Sequence, residues 1–190
     1  MSRIFLFYVL IKRDEVIESH ILRTLSYTVH TMKNSTLLFL VKKVDGKITE
    51  ICLAMKKRGF GVGRWNGVGG KVDAGESIEE ATIRETKEEI GVYAKDLQNV
   101  GEIAFSFKFK PDYNQRVHIY VTENWEGEPV ESEEMSPAWY NVDKVPYEVM
   151  WPDDIFWLPK VLDGEKIKAE FTFGEQDSIL EQKVEVVESL

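Results

Sequence analysis

A chain of 190 residues is long enough for one domain with a buried core plus an appendage, and too short for two full domains. Lys plus Arg 24 against Asp plus Glu 33 leave a formal charge of -9, which argues against a protein that grips duplex DNA or anionic lipid through bulk charge. A hydrophobic content of 43% excludes disorder, and the lone Cys52 excludes an intrachain disulfide framework or a cysteine-rich zinc site and favours a reducing compartment.

Residues 1–33 contain no Gly, Pro, Trp or Asn and carry the longest apolar run, Ile4 to Ile11. That run is well short of the roughly 20 residues of a membrane span. Lys12, Arg13, Asp14 and Glu15 follow where a signal peptide needs small residues, and Asp14, Glu15 and Glu18 disfavour a mitochondrial presequence. The expectation is an N-terminal extension of unknown role over residues 1–33, adding a strand or helix, before a domain over residues 34–190. Met32 stands at its edge as an alternative start.

The β-branched and large apolar residues of Thr36 to Val41 and Ile48 to Met55 flank Asp45-Gly46, which reads as a hairpin. A glycine loop follows, with six glycines in the twelve residues from Gly59, a composition that permits tight turns and close backbone approach. Ser77 with Glu80 three residues on forms a capping-box pattern, and Gly91 is a helix stop, so a helix is predicted between them. Further strands are predicted at Glu102 to Lys108, Val117 to Thr122, Pro137 to Val142 and Ile167 to Phe173, and a second helix within Asp153 to Leu162. Strands interrupted by two helices imply an α/β layer fold with a mixed sheet.

On the first helix Glu85, Glu88 and Glu89 stand at i, i+3 and i+4, which places three carboxylates on one face within reach of a common point. Ile83, Thr86 and Ile90 form the predicted packing face. A Glu-rich helix is ordinarily a solvated face, but here a glycine loop precedes the acids at short range. Hard divalent cations take oxygen ligands, and magnesium binds through a few carboxylates together with substrate phosphates, so the trio suits that ion.

Gly70, Glu76 and then Arg84-Glu85-Thr86-Lys87-Glu88-Glu89-Ile90-Gly91-Val92 resemble the Nudix box, the signature of hydrolases acting on nucleoside diphosphates linked to another group. Seven fixed positions make an accidental match on the order of one in 10⁸ per starting point. Thr86 is a departure, because an aliphatic residue is usual there; some loss of packing is expected and no loss of chemistry. The resemblance continues through Gly59-Phe60-Gly61, Arg64-Trp65-Asn66-Gly67, Gly69-Gly70-Lys71-Val72, Pro129-Val130-Glu131-Ser132, Glu134-Met135 and Met150-Trp151-Pro152-Asp153-Asp154. These segments are similar to the animal-type oxidised purine nucleoside triphosphate hydrolases within that family. The N-terminal segment and extra residues in the Val44 to Thr49 hairpin have no counterpart.

The resemblance implies a Nudix fold, a mixed β-sheet sandwiched between helices (α/β/α). It implies Mg²⁺, with Mn²⁺ as an alternative, held by Gly69 (through its carbonyl), Glu85, Glu88, Glu89 and Glu134. Glu89 or Glu88 orients or deprotonates the attacking water, and Arg84 holds Glu88 or another acid in place, with Glu76 in a similar supporting role or favouring the helix start. Asp153 and Asp154 read the purine edge after Trp151-Pro152, one of them protonated and acting as a donor, while an aromatic ring stacks on the base; without the resemblance Asp153 is a helix N-cap. Asn66 contacts the base from the opposite side. Thr36 and Lys56 contact the nucleotide from the first strands, Val68, Gly69, Gly70 and Lys71 border it, and Phe60, Phe105, Met135 and Trp157 are candidate walls. His118 and Cys52 are expected to be structural.

The implied activity is hydrolysis of 8-oxo-dGTP or 2-hydroxy-dATP type nucleotides to monophosphate and pyrophosphate, which cleans the precursor pool and limits DNA damage. A small-molecule substrate, no nucleic acid, no membrane, a monomer and a cytoplasmic location (with mitochondrial or nuclear pools as alternatives) go with it. The competing readings are a Nudix hydrolase for ADP-ribose, a dinucleotide or an ordinary nucleoside triphosphate, and a non-catalytic nucleotide or RNA binder. The three acids weigh against the last.

Overall fold

One hairpin organises the sheet. In the computed structural model, which describes residues 32–190, strands β1 (Lys33–Val44) and β2 (Lys47–Lys56) pair antiparallel across Asp45-Gly46. Both turn residues have positive φ, 51° and 78°, the left-handed pair that matches the twist of the flanking strands. The expectations placed on residues 1–31 of the extension lie outside the described residues.

Around this hairpin lie β3 (Trp65–Asn66), β5 (Gln98–Phe107), β6 (Gln115–Thr122), β8 (Met135–Asn141), β9 (Lys166–Phe173) and β10 (Ile179–Val187). They form a sheet of order β10-β9-β5-β6-β1-β2-β3, with β8 also pairing β2. The β1/β6 and β5/β9 pairs are parallel and the others antiparallel, so the sheet is mixed as expected. β4 (Tyr93–Lys95) and β7 (Asn124–Glu126) make a separate two-stranded ribbon.

Helix α1 (Ile78–Ile90) begins and ends as predicted. The Ser77 hydroxyl accepts from the Glu80 N–H, the Glu80 carboxylate accepts from the Ser77 N–H, and Gly91 closes the helix at φ 76°. Its packing face matches the predicted one at Thr86 and Ile90 and departs from it at Ile83. Ala81, Thr82, Thr86, Glu89 and Ile90 are buried, while Ile83 is only half-buried. Thr82 and Thr86 can occupy this face because each hydroxyl donates back to the carbonyl four residues earlier, at 2.8 and 2.7 Å. Helix α2 (Asp154–Leu162) buries Asp154, Trp157, Leu158 and Val161, the i, i+3, i+4, i+7 stripe of an amphipathic helix.

Side-chain alternation along β1 divides the core between the two faces of the sheet. Phe39 and Val41 pack with Trp157, Leu158 and Val161 of α2; Leu38 and Leu40 pack with Ile90 and Val92 at the end of α1. One helix therefore covers each face, the α/β/α sandwich the sequence implied. No described helix is long and apolar enough to cross a membrane.

Gly91→Ala tests the helix stop. The added methyl would meet the Val130 Cγ2 at 3.0 Å on a left-handed backbone, and urea denaturation is expected to show a loss of about 1–2 kcal/mol. An unchanged midpoint would show that this terminus does not need glycine.

Candidate active site

The site starts from a turn pressed against β1. Gly69 has φ 156°, and a Cβ there would lie 2.2 Å from the Thr36 carbonyl oxygen; one on Gly70 would lie 2.5 Å from the Glu85 carboxyl carbon. Backbone bonds fix the approach: Thr36 N–H donates to the Gly70 carbonyl at 2.8 Å, and Leu38 and Val68 exchange bonds at 2.7 and 2.9 Å. The glycine turn is thus sandwiched between a central strand and the acids of α1.

Those acids divide between different partners. Glu89, with 5% of its side chain exposed, accepts from the Gly69 N–H at 3.0 Å and from Lys56 at 2.9 Å. Burial raises the pKa values of Glu89 and Glu85, opposed by Lys56 for the first and Arg84 for the second. Glu88 is 62% exposed and meets Arg84 at 3.3 Å. Among the described residues no three His, Cys, Asp or Glu side chains converge, and each of the three acids is paired with a basic side chain. Close carboxylates repel unless cations stand between them, and here those cations are basic side chains.

Arg84 ties the arrangement to the loop ahead of α1. It contacts Glu76 through two nitrogens at 2.7 and 3.1 Å, Glu85 at 2.9 Å and the Lys71 carbonyl at 3.1 Å. Lys56 reaches from Glu89 to Glu134 at 3.6 Å, and Arg58 also pairs with Glu134. Glu134, far from the box in sequence, is thereby brought to the bank opposite α1.

Beside the glycine turn opens a cavity of about 520 Å³, on the α2 face of the sheet. Thr36, Lys56, Phe60, Asn66, Gly69, Gly70, Lys71, Phe105, Met135, Trp151, Asp153, Asp154 and Trp157 line it. The four candidate walls are therefore all present, whereas two expected substrate-binding residues lie outside the lining: Val68 is buried in the core on the α1 face, and Pro152 is exposed. Sequence reading missed Arg64, Phe107 and Phe173 among the other residues of the wall. The alternation of β5 and β9 would have paired Phe107 and Phe173 with Phe105, whereas only tertiary contact reveals Arg64.

Asp153 and Asp154 are both buried. Asp153 sits before α2 but makes no cap bond; its carboxylate accepts from the Trp157 indole N–H at 2.9 Å. That of Asp154 accepts from the Trp151 backbone N–H at 3.0 Å. Burial raises Asp153 to about 6, and burial together with its neighbour's charge holds Asp154 well above the usual carboxylate range. Elsewhere, burial pushes the Cys52 thiol up to about 12, and His118 packs against Asn34 and Glu102, away from the cavity lining.

A NUDIX domain model matches residues 33–161. The chain belongs to the Nudix family. It is 45% identical over 159 residues to the oxidized purine nucleoside triphosphate hydrolase of Danio rerio, covering 84% of this chain and 100% of that one. With the Mus musculus enzyme of the same name it shares 45% over 139 residues, 73% of this chain and 88% of the other. Among solved structures, a MutT protein from Bacillus halodurans superposes with a TM-score of 0.69 at 25% identity, covering 81% of this chain and 98% of that one.

The buried aspartate pair has a stability signature. Unfolded aspartates titrate near pH 4, and the native pair binds protons above that, so its stabilising contribution is full below about pH 4 and is lost as pH rises through about 6 and beyond. Asp154→Asn, which never ionises, is expected to raise stability at pH 8 and to change it little at pH 4. Thermal melts across that range check this; a uniform shift at every pH would contradict it.

Proposed function

We propose that this chain is a divalent-metal-dependent pyrophosphohydrolase that converts oxidised purine nucleoside triphosphates of the 8-oxo-dGTP and 2-hydroxy-dATP type, with water, to the monophosphate and pyrophosphate. The observation that carries this reading is adjacency: a purine-sized cavity with an indole and two buried carboxylates shares the Gly69-Gly70 wall with the acids of α1. The names of the Danio rerio and Mus musculus relatives support the same substrate class.

Each part of the cavity has a task. Trp151 stacks on the base. Of the aspartate pair, one member remains protonated near neutrality and donates while the other accepts, so more than one oxidised purine edge is satisfied. Asn66 meets the base from the opposite side, and Thr36 and Lys56 contact the sugar and phosphate end. Lys71 and the backbone of the glycine turn border the phosphates.

The donor set of Glu85, Glu88, Glu89, Glu134 and Gly69 is all hard oxygen, which suits Mg²⁺ and, as an alternative, Mn²⁺. Gly70 fits such a centre as well, because its missing Cβ makes room for the Glu85 carboxylate. A bound divalent cation there supplies charge neutralisation for the triphosphate and a lowered pKa for water. Glu89, whose buried carboxylate is poised by Lys56 and the Gly69 N–H, takes the proton of the attacking water, with Glu88 as the alternative base. Arg84 and Glu76 hold Glu85 and Glu88 in register. The enzyme works on free nucleotides as a cytoplasmic monomer, with residues 34–190 as its catalytic domain.

Turnover of 8-oxo-dGTP, dGTP and ADP-ribose with Mg²⁺ tests the substrate. A preference of about tenfold or more for 8-oxo-dGTP is expected, and equal rates on the first two would defeat the assignment. Glu89→Gln is expected to lower kcat by about 10²–10⁴ with an unchanged circular dichroism melt; undiminished activity would remove Glu89 from the mechanism. Chelation by EDTA should abolish turnover and added Mg²⁺ restore it.

A further inference from the structure

Arg64 closes the glycine loop, and the chemistry above gives it no task. Its guanidinium carbon stands 4.4 Å from the centroid of the Trp151 ring. One terminal nitrogen donates to the Met150 carbonyl, the residue before that tryptophan, at 2.8 Å; the other donates to the Asp177 carboxylate, also at 2.8 Å. Its own backbone is pinned, the N–H donating to the Gly61 carbonyl at 3.1 Å and the carbonyl accepting from the Lys56 N–H at 2.9 Å.

Asp177 comes from the connection between β9 and β10, 113 residues along the chain. Gln176 and Asp177 have φ 54° and 57°, two consecutive non-glycine residues on left-handed backbone. Such a conformation persists only where its surroundings over-determine it, and the Arg64 ion pair is one such constraint. The indole is also packed by Phe60 at 5.0 Å and Phe173 at 6.0 Å, and a Cβ on Gly61 would meet it at 3.2 Å.

We propose that Arg64, held by Asp177, is a positioning residue that fixes the Trp151 indole as the stacking platform of the base cavity, so that the C-terminal hairpin sets purine affinity. This rests on the reading of that cavity as a purine pocket. Trp151 lines the cavity while a cation sits over its ring, and locking the ring beforehand removes an ordering cost from binding. The charge of Arg64 also acts on Asp153 and Asp154, favouring their ionised forms, so the same residue touches both the stacking and the edge-reading sides.

The test uses the full chain with Asp177→Ala, Arg64→Lys, Arg64→Ala and the double Arg64→Ala/Asp177→Ala. Readouts are 8-oxo-dGTP hydrolysis, quenching of tryptophan emission by 8-oxo-dGMP and by dGMP, and thermal melts. Asp177→Ala is expected to raise KM and weaken the monophosphate quench by about tenfold, with kcat within about twofold of the parent. Arg64→Lys, which retains the cation without its fork, should recover part of the loss seen in Arg64→Ala. The double variant should be no worse than Arg64→Ala alone, because the two residues act as a unit. Unchanged KM and quench in Asp177→Ala, with or without a lowered melt, would overturn the proposal, as would additive losses in the double variant. A parent that does not prefer 8-oxo-dGTP over dGTP sinks the substrate reading alone; Arg64 still stands if Asp177→Ala weakens binding of both monophosphates.

Discussion

The contact on which the site depends is the one between the Gly69-Gly70 turn and its two neighbours. On one side lies the backbone of β1 and on the other the carboxylate of Glu85, each nearer than any side chain would allow. The ladder bonds from Thr36 and Leu38 hold the turn to the sheet, and the bond from Gly69 to Glu89 holds it to α1. Helix, turn and central strand are consequently locked in one register. Helix α1 enters that register at a defined place because Ser77 and Gly91 set its ends.

Charge governs the rest of the arrangement. Four acids of α1 and the loop ahead of it crowd around one bank, and the fold tolerates them by threading Arg84 among Glu76, Glu85 and Glu88 and Lys56 between Glu89 and Glu134. These pairs are partly buried, where an unpartnered carboxylate would be costly. The aspartates at the start of α2 meet the same problem differently. Among the described residues no ion pair reaches them; they accept N–H bonds and hold their protons to higher pH.

Much of this was legible in the residues. The hairpin turn, the caps of α1 and the mixed sheet follow from local rules that act within a few positions, and the spacing of the Nudix box is local as well. β10 was not foreseen because Glu181, Gln182, Lys183 and Glu185 leave an edge strand with little buried face and no alternation to read. β4 and β7, of three residues each, are too short to carry a period. At the site, periodicity mistook part of the packing face of α1, since Thr82 hides its hydroxyl in the helix backbone and Glu89 is drawn inward by Lys56 and Gly69. Val68 and Pro152 adjoin residues that line the cavity, yet one packs in the opposite core and the other is exposed. The partnership of Arg64 with Asp177 spans too much chain for any local rule.

Because β1, β2 and β6 send alternate side chains to opposite faces, the layer that carries α1 and the layer that carries α2 share these strands but bury separate sets of side chains. The acids of α1 lie on the first layer and the cavity on the second, and they meet at the Gly69-Gly70 turn and at Lys56 and Glu134. A substitution at Phe107 or Phe173 therefore reshapes the hollow without removing a partner of the α1 acids, whose bonds run to Gly69, Lys56 and Arg84.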